Sequence, residues 1–519
     1  MSDLLRIGSS AMGAAYAQLQ TTGQNIANVN TPGYTRREVQ LQEAGSMDSG
    51  GWVGRGVDVM NVRRVYDAFL VRESAATKAS AAQDTTRSEA LGRLAGVFSD
   101  PQSGLGAAFD DLVGSFTDVV ARPSDPAARS AVVARADAFA TRAQTLDTRL
   151  LDLRQSAQSR MQNEISKANQ TLKSLASLNA KIADARGSSG EPNALLDQRD
   201  KLLQDLNGSL RANATIGQDG TITVTSTRGE PLVVGDAAST LQLVNDPLDS
   251  TKQSVQVVRS NGVTLGMDSS ELGGALAGLA KFANEDVDAA RAQLGRLYAS
   301  VAGAFNARQA KGLDATGAVG QDMFSIGSPT VTGATSNTGS AVFGAAIADP
   351  TALKASDYEL KFSGGQYTLT RLSDDVTQTF SALPQTIDGL SLSLGSGTPS
   401  DGDRFLVRAG TAYTTGARSQ LANGQRIATA QPVVVETGAA NAGDLRSTSV
   451  DASTISAITG ATVTLTFTGP NTFSVNGAGT GNPASVAYTP GMTVSYNGWS
   501  VVLDGTPSTG DTMRISATP

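Results

Sequence analysis

The chain has no cysteine and no histidine in 519 residues. Without thiols there is no disulfide framework and no thiolate chemistry. Without imidazole there are no zinc fingers, no His-ligated metals and no Ser-His or Cys-His nucleophile pairs. A carboxylate pair or a Ser-Lys dyad remains open. Positive charge is also thin: 41 Lys and Arg face 48 Asp and Glu, and the sequence pI is about 4.9. The basic residues are scattered, and the pair Arg36-Arg37 is too short to be a patch, which argues against nucleic acid as the main partner. The N-terminus has no Lys/Arg-flanked apolar core and no small-residue cleavage site. No cleaved secretory signal is expected, which leaves the cytoplasm or an export route that reads no such signal.

A more local absence is the most informative. Between Arg6 and Arg36 no side chain is charged. A water-exposed helix carries charge on its outer face. A membrane helix needs about 20 predominantly apolar residues, and Thr21, Thr22, Gln24 and Asn25 interrupt this stretch, so no membrane insertion is expected. The remaining environment is other protein. Leu5, Met12, Leu19 and Ile26 fall at steps of seven, with Gly8, Ala15, Thr22 and Val29 as a companion row of mostly small residues. Together they form a heptad seam that lets backbones approach closely. One helix of a self-contained bundle is the plain alternative. With little of its own chain to pack on, the segment is expected to be disordered before assembly.

Beyond it, Pro32-Gly33 signals a turn, and Trp52–Val65 reads as short extended structure. Helical patterns follow over Tyr66 to about Phe98 and Leu105 to Val120. Asp125-Pro126 caps and starts the next helix. Its apolar stripe runs Ala136, Phe139, Ala143, Leu146, Leu150, Leu153, Ala157, Met161, Ile165, Ala168, Leu172, Leu175, Leu178, Ile182. Consecutive steps of four through Ala157, Met161 and Ile165 form a stutter that locally unwinds a coiled coil. A helix is expected over Asn193 to about Leu206, then hairpins across Thr215–Gly266. Asp268 and Glu271 resemble a capping box opening a helix from about Leu272 to Lys311. Its inner face is expected to hold Leu276, Leu279, Val287, Leu294, Leu297, Val301 and Phe305.

Past Gly312 the pattern becomes all-β and repeats. Gly397-Thr398-Pro399-Ser400-Asp401-Gly402-Asp403 recurs as Gly505-Thr506-Pro507-Ser508-Thr509-Gly510-Asp511, and Leu360-Lys361-Phe362 as Leu465-Thr466-Phe467. Two modules of about 100 residues are indicated. The Gly-Asp pairs lack any calcium-loop pattern and read as turns before the last strand.

Ala27-Asn28-Val29-Asn30-Thr31-Pro32-Gly33-Tyr34 resembles the motif shared by bacterial flagellar rod, hook and hook-associated axial proteins. Asn193-Ala194-Leu195-Leu196-Asp197-Gln198-Arg199-Asp200 is similar to a motif of the hook-associated protein 1 family. Gly229-Glu230-Pro231-Leu232-Val233-Val234-Gly235 resembles the hairpin that follows it there. Gly273-Gly274, Leu294, Leu297, Asn306, Gln309, Gly312, Asp314, Gly317, Gly320 and Phe324 resemble the returning helix and its loop, with Ala310 where the family has a His. The likeness runs through about residue 410. It implies a non-enzymatic structural protein that joins the flagellar hook to the filament, exported unfolded through the flagellum-specific channel and located outside the cell. The implied partners are the hook protein, a second hook-associated protein, further copies in a ring, and an export chaperone. The family closes with a C-terminal helix that pairs with the N-terminal one and engages the chaperone. This sequence stops at Ser516–Pro519, just after a strand, so either the sequence is a truncated piece or that helix is missing, and both roles are affected.

The expected fold is multidomain α + β: a long coiled-coil-like helical bundle rod followed by two small all-β modules. The divisions are an axial-core helix and extended segment (1–60), a helical rod domain with hairpin insertion (61–330), and β modules at 331–445 and 446–519. Expected axial-packing residues are Leu5, Met12, Ala15, Leu19, Ile26 and Val29. No catalytic, cofactor or metal site is expected. Two other readings compete. A binding module would use Tyr358, Tyr367, Tyr496 and Trp499 to stack on sugars, although Leu390 in the aligned repeat makes Trp499 a core residue. An enzyme would use Asp401 with Asp403 or Asp374 with Asp375, pairs that read as solvated turns. Asp197 is expected to pair on the helix surface with Lys201 four residues on.

Overall fold

A computed structural model describes residues 2–48, 51–99, 104–188, 191–217, 219–452, 458, 462–478 and 481–518. The chain divides into two compact units, 1–95 with 151–288 and 96–150 with 289–519.

The first unit opens with helix α1 (Ser2–Ala27). Strands β1 (Arg37–Asp48) and β2 (Gly51–Arg64) then form a two-stranded antiparallel ribbon. Helix α2 (Ala68–Phe98), the C-terminal part of α4 (Pro126–Ser188) and α5 (Asn193–Ser209) build its helical core. Met161, Ala168, Leu172 and Leu175 of α4 are fully buried, as are Ala79 and Ala90 of α2. Strands between Asn213 and Met267, beginning with β3 (Asn213–Ile216), form a four-stranded and a three-stranded antiparallel meander.

Strand β1 was not legible in the sequence: Val39 and Leu41 alternate with Glu38, Gln40 and Gln42, a weak period beside so many charges. The expectation of disorder before assembly took no account of this ribbon. The ribbon gives α1 a surface within its own chain, and α1 is seated on it by one face.

The inner stripe of α4 agrees with the sequence reading except at one place. Leu153 is half-buried, and Arg154, 5 % exposed, takes the inward step. Its guanidinium is ion-paired with Asp288 and donates to Thr251 Oγ1 at 3.2 Å. A buried charge persists only with such partners.

The expected single helix over 272–311 is corrected. It is divided into α6 (Ser269–Leu272), α7 (Gly274–Lys281), a π turn (Phe282–Asp286) and α8 (Val287–Gln309). Gly273 and Gly274 adopt φ of +54° and +61°, and a Cβ at Gly274 would lie 2.5 Å from the carbonyl carbon of Ser209, so only glycine fits the break. Asp268 stands at the N-cap of α6 without a side-chain cap bond, and Glu271 instead pairs with Arg228.

The second unit holds α3 (Leu105–Ala121), the first part of α4, most of α8 and both β modules. Phe139 stacks on Tyr298 at 5.8 Å between ring centroids and meets Phe324 edge-on at the same distance. Leu297, expected inward, is 53 % exposed, and Tyr298 replaces it. The cause is on the neighbouring turn. Gly295 lets the carbonyl of Gly410 approach to 2.1 Å of where a Cβ would stand, and Gly303 admits Pro350 in the same way. The first β module lands on that face, so the buried side of α8 turns toward it.

The two β modules, with strands spanning Thr330–Arg408 and Val433–Ala517, share one topology. Numbered within each module, the strands run 1-8-3-4-5 in the larger sheet and 2-7-6 in the smaller. The likeness extends to single atoms. Asp403 accepts the amides of Thr338, Gly339 and Ser400; Asp511 accepts those of Ala442, Gly443 and Ser508. Asn337 exchanges a bond pair with the backbone of Arg404, and Asn441 does so with Thr512. Both carboxyls are lowered from the ordinary carboxylate value, chiefly through the Ser400 and Ser508 amides, with burial opposing.

Candidate functional site: an open helix face and its anchor

Helix α1 has two unlike sides. The side toward the ribbon is built of small and polar residues: Ser10, Ala14, Ala17, Thr21, Asn25 and Asn28. Ala14 and Thr21 are 5 % and 8 % exposed. Close seating follows from their size. Gly56 of β2, at φ +115°, lies so near that a Cβ would sit 2.1 Å from Ser10 Oγ, and Ser10 Oγ accepts the Val57 amide at 3.2 Å. Farther along, Asn25 closes a two-way clasp on Arg37, its Nδ2 donating to the carbonyl and its Oδ1 accepting the amide, both at 2.9 Å. The Tyr34 hydroxyl donates to the same Oδ1.

The opposite side carries the large residues. Leu5, Met12, Leu19, Ile26 and Val29 are 69–75 % exposed, joined by Leu4 and Tyr16. Ala15 is exposed among them. The expected seam therefore lies together on one face that none of the described residues covers. A soluble protein seldom exposes so long an apolar stripe unless another surface closes over it.

The structure brings together the two motifs that were far apart in sequence. Asn28 Nδ2 donates to the Gln24 carbonyl and Thr31 Oγ1 to Asn28 Oδ1, which rounds off the helix before the Pro32-Gly33 turn. Ala27, Asn30, Thr31 and Pro32 stay exposed, while Gly33 and Tyr34 are half-buried. A Cβ on Gly33 would come within 3.1 Å of Lys201 Cβ, so the turn rests on α5.

Beneath it lies a buried ion cluster. Arg64 donates to Asp197 at 2.9 Å and to Asp200 at 2.6 Å, Arg37 reaches Asp197 at 3.3 Å, and Arg199 forks onto Asp200 at 2.8 and 3.0 Å. Asp197, Arg199 and Asp200 are 9 %, 2 % and 7 % exposed; Gln198 faces solvent. The expected surface pair of Asp197 with Lys201 is corrected: Lys201 pairs with Asp205, and Asp197 turns inward to the ribbon's arginines. Arg37 stacks on Tyr34 and Arg64 on Tyr66, at 5.1 and 4.9 Å. The Tyr66 hydroxyl is pushed up by burial and by Asp200.

The sequence reading gave Arg37, Arg64 and Asn25 no part in a site. The two arginines are cross-strand neighbours at the base of the ribbon. Like charges set opposite each other need acids nearby, and Asp197 with Asp200 supply them.

The proposed sugar-stacking aromatics are corrected as well. Tyr358, Tyr367 and Trp499 are 1 %, 8 % and 3 % exposed and belong to the module cores, and Tyr496 is half-buried against Trp499. Of the paired acids, Asp403 is a turn clasp and Asp374 forks onto Arg371. Among the described residues no group of acids is arranged to hold a metal, and no helix is long and apolar enough to cross a membrane.

A helix seated on the ribbon by one face, with an uncovered apolar row along the other, marks the chain as a subunit of a larger structural assembly. Comparison with known proteins gives that assembly. Residues 5–35 match the family model for flagella basal body rod proteins, residues 91–324 the helical domain of flagellar hook-associated protein FlgK, and residues 332–409 the D2-like domain of flagellar hook-associated protein 1. The chain is 33 % identical over 417 residues to flagellar hook-associated protein 1 of Escherichia coli, covering 79 % of this chain and 76 % of that protein. It is 25 % identical over 263 residues to the Bacillus subtilis counterpart, covering 49 % and 50 %. It superposes on the flagellar hook junction protein FlgK of Burkholderia pseudomallei with a TM-score of 0.77 at 29 % identity, over 86 % of this chain and 87 % of that one. The chain belongs to the flagellar hook-associated protein 1 family, the structural proteins of the hook–filament junction in the extracellular flagellum.

Proposed function

We propose that this protein joins hook to filament by packing, with the outer face of α1 as its axial contact and no catalytic step. What supports the reading is the exposure of Leu5, Met12, Leu19, Ile26 and Val29 along a helix whose other face is already fixed. Each large side chain of that row gains about 1.5–3 kcal/mol on full burial, so modest contacts repeated around a ring add up to a stable joint. Ala15 and the companion small residues set how closely a neighbouring helix comes. The Asp197-Arg199-Asp200 cluster, with Gln198 outside it, holds the base of the ribbon and so fixes the direction in which α1 projects.

The partners in this reading are the hook protein on one side, a second hook-associated protein on the other, and further copies of the chain in a ring. The chain reaches its place through the flagellar secretion channel without a cleaved signal. Residues 1–60 serve as the axial core, 61–330 as the rod domain, and the two β modules face solvent, the second of them beginning with the strand Val433–Thr437 rather than at residue 446.

The test replaces the native copy with the Leu5→Asp, Leu19→Asp double variant. Both residues are exposed, so the purified protein keeps its melting temperature. Electron microscopy is expected to find hooks without filaments, with flagellin shed into the medium. Normal filaments on the variant would reject the proposal.

A further inference from the structure

In the first unit a groove of about 300 Å³ lies between α2, α5 and β3, and the axial reading leaves it unused. The α2 side is one helix face at three-four spacing: Ala68, Val71, Arg72, Ala75 and Ala76. Only Val71 and Arg72 are larger than alanine there, so the wall is low and the space stays open. Leu203 of α5 adds a buried apolar surface. Charge marks the groove as well. Arg72 and Arg211 line it, both exposed, and among the described residues neither has an acidic partner. Asp200, the one acid in the lining, is taken by Arg64 and Arg199. In a chain of net charge −7 the groove is left locally positive.

The side opposite α2 is an open sheet edge. Strand β3 stands first in its four-stranded sheet and pairs only with β4 (Ile222–Thr225). All four β3 residues line the groove. A strand shows successive residues to one groove only edge-on, because alternate side chains point to opposite faces. Bonded and non-bonded pairs alternate along an antiparallel ladder. The Gly217 amide donates to the Thr221 carbonyl at 2.9 Å, which sets the phase: Thr215 and Asn213 bond to β4. Ile222 agrees, with its amide and carbonyl both turned away to Asn179. Ala214 and Ile216 therefore point their N–H and C=O groups outward, and among the described residues these groups have no partner. Apart from being short, β3 carries none of the devices that close an edge: it has no charge and no proline.

We infer that this groove takes an extended, acidic peptide segment of a partner protein, added to β3 as a further antiparallel strand. A free edge calls for a backbone, since only another main chain offers donors and acceptors at the spacing of Ala214 and Ile216. Each of these residues can exchange two bonds with one residue opposite it. Side chains alternate along the added strand, so every second one, apolar, faces Val71 and Leu203. Arg211 lies just before β3, beside the C-terminal end of an antiparallel segment, which places the acidic residues after the apolar ones. In such strand addition the main-chain bonds give affinity, and the side-chain pocket and rim charges choose the partner. The inference goes beyond the axial contact of α1 and does not rest on it.

The experiment titrates the full-length protein by calorimetry with a synthetic peptide of alternating valine and threonine followed by two glutamates. Both ends are blocked, so only side-chain carboxylates are charged. Saturable binding at one site per chain is expected, with hydrogen exchange slowed at the amides of Ala214 and Ile216. The Leu5→Asp, Leu19→Asp chain should bind it equally well, which sets the site apart from the open row of α1. N-methylation of the peptide amides that meet β3 is expected to weaken binding about tenfold or more, as loss of edge bonds requires. Arg72→Ala with Arg211→Ala on the protein, or lysines for the glutamates on the peptide, should each weaken it about tenfold. Should the arginine variant fail to fold, the lysine peptide on the native chain decides the charge requirement. No saturable binding, no protection at Ala214 and Ile216, loss of binding on the Leu5→Asp, Leu19→Asp chain, or equal affinity for the N-methylated or the lysine peptide overturns the inference.

Discussion

In α4, Ala136, Met161, Ala168 and Leu172 are fully buried; in α1, Leu5, Met12, Leu19 and Ile26 stand 69–75 % exposed. Both helices carry a regular apolar row, and the rows have opposite fates. What separates them is the rest of each helix. The outer side of α4 is strewn with Arg, Asp, Lys and Glu, which marks it as the solvent side of a completed core. After Arg6, α1 has no charge on any side. A periodic row locates an interface but does not say whose interface it is, and the chemistry of the opposite face decides that.

This contrast can be broken at either helix. The largest expected effect is on function: Leu5→Asp with Leu19→Asp abolishes filament attachment while the thermal midpoint of the purified protein stays put. If the midpoint falls with it, α1 belongs to a core within the chain. Next comes the anchor that aims α1. Arg64→Ala leaves Asp197 and Asp200 buried with only partial compensation, and is expected to destabilise the first unit by about 3–5 kcal/mol, measured by urea unfolding. The matching change in α4, Leu172→Ala, should cost about 2–5 kcal/mol. In contrast to α1, its effect on attachment is expected to follow its effect on stability.

A smaller effect concerns acid. Asp314 is pushed up by burial, but the Thr316 hydroxyl and amide, the Ala318 amide and Arg426 outweigh this and hold it at about 2. Asp403 and Asp511 are lowered in the same sense. A carboxyl depressed in the folded state adds stability that is complete above its unfolded value of about 4. That stability is lost as the pH falls through the folded value. The melting temperature of the second unit should therefore drop below about pH 4, and Asp314→Asn should flatten that slope. Smallest of all, Lys201→Ala removes the exposed pair with Asp205 and should cost less than about 0.5 kcal/mol. A larger loss would show that Lys201 matters to the anchor through its contact with Gly33.

The long stripe of α4, the open row of α1 and the duplicated β modules could be read from residue order, because each repeats a local pattern many times or copies a turn such as Gly-Thr-Pro-Ser-x-Gly-Asp. Features set by meetings of distant segments could not. Strand β1 is too polar to announce itself without β2. The choice of Tyr298 over Leu297 as the inward residue depends on Gly410, more than a hundred residues later. Asp197 had a lysine four positions on and so an adequate local partner, yet Arg64 and Arg37 claim it. The motif around Asn28 and the motif around Asp200 were each recognisable. That they are two halves of one joint was not, because it takes the ribbon to carry the first to the second.

Neither unit is drawn from one stretch of chain: residues 1–95 wait for 151–288, and 96–150 wait for 289 onward. A polypeptide delivered end-first, from either end, must therefore lay out several hundred residues before either unit can be finished. No single scission would release one of them whole. The open helix is set down at one extreme of that order of events, so at delivery its readiness to join neighbours and the completion of its own support arrive at different times.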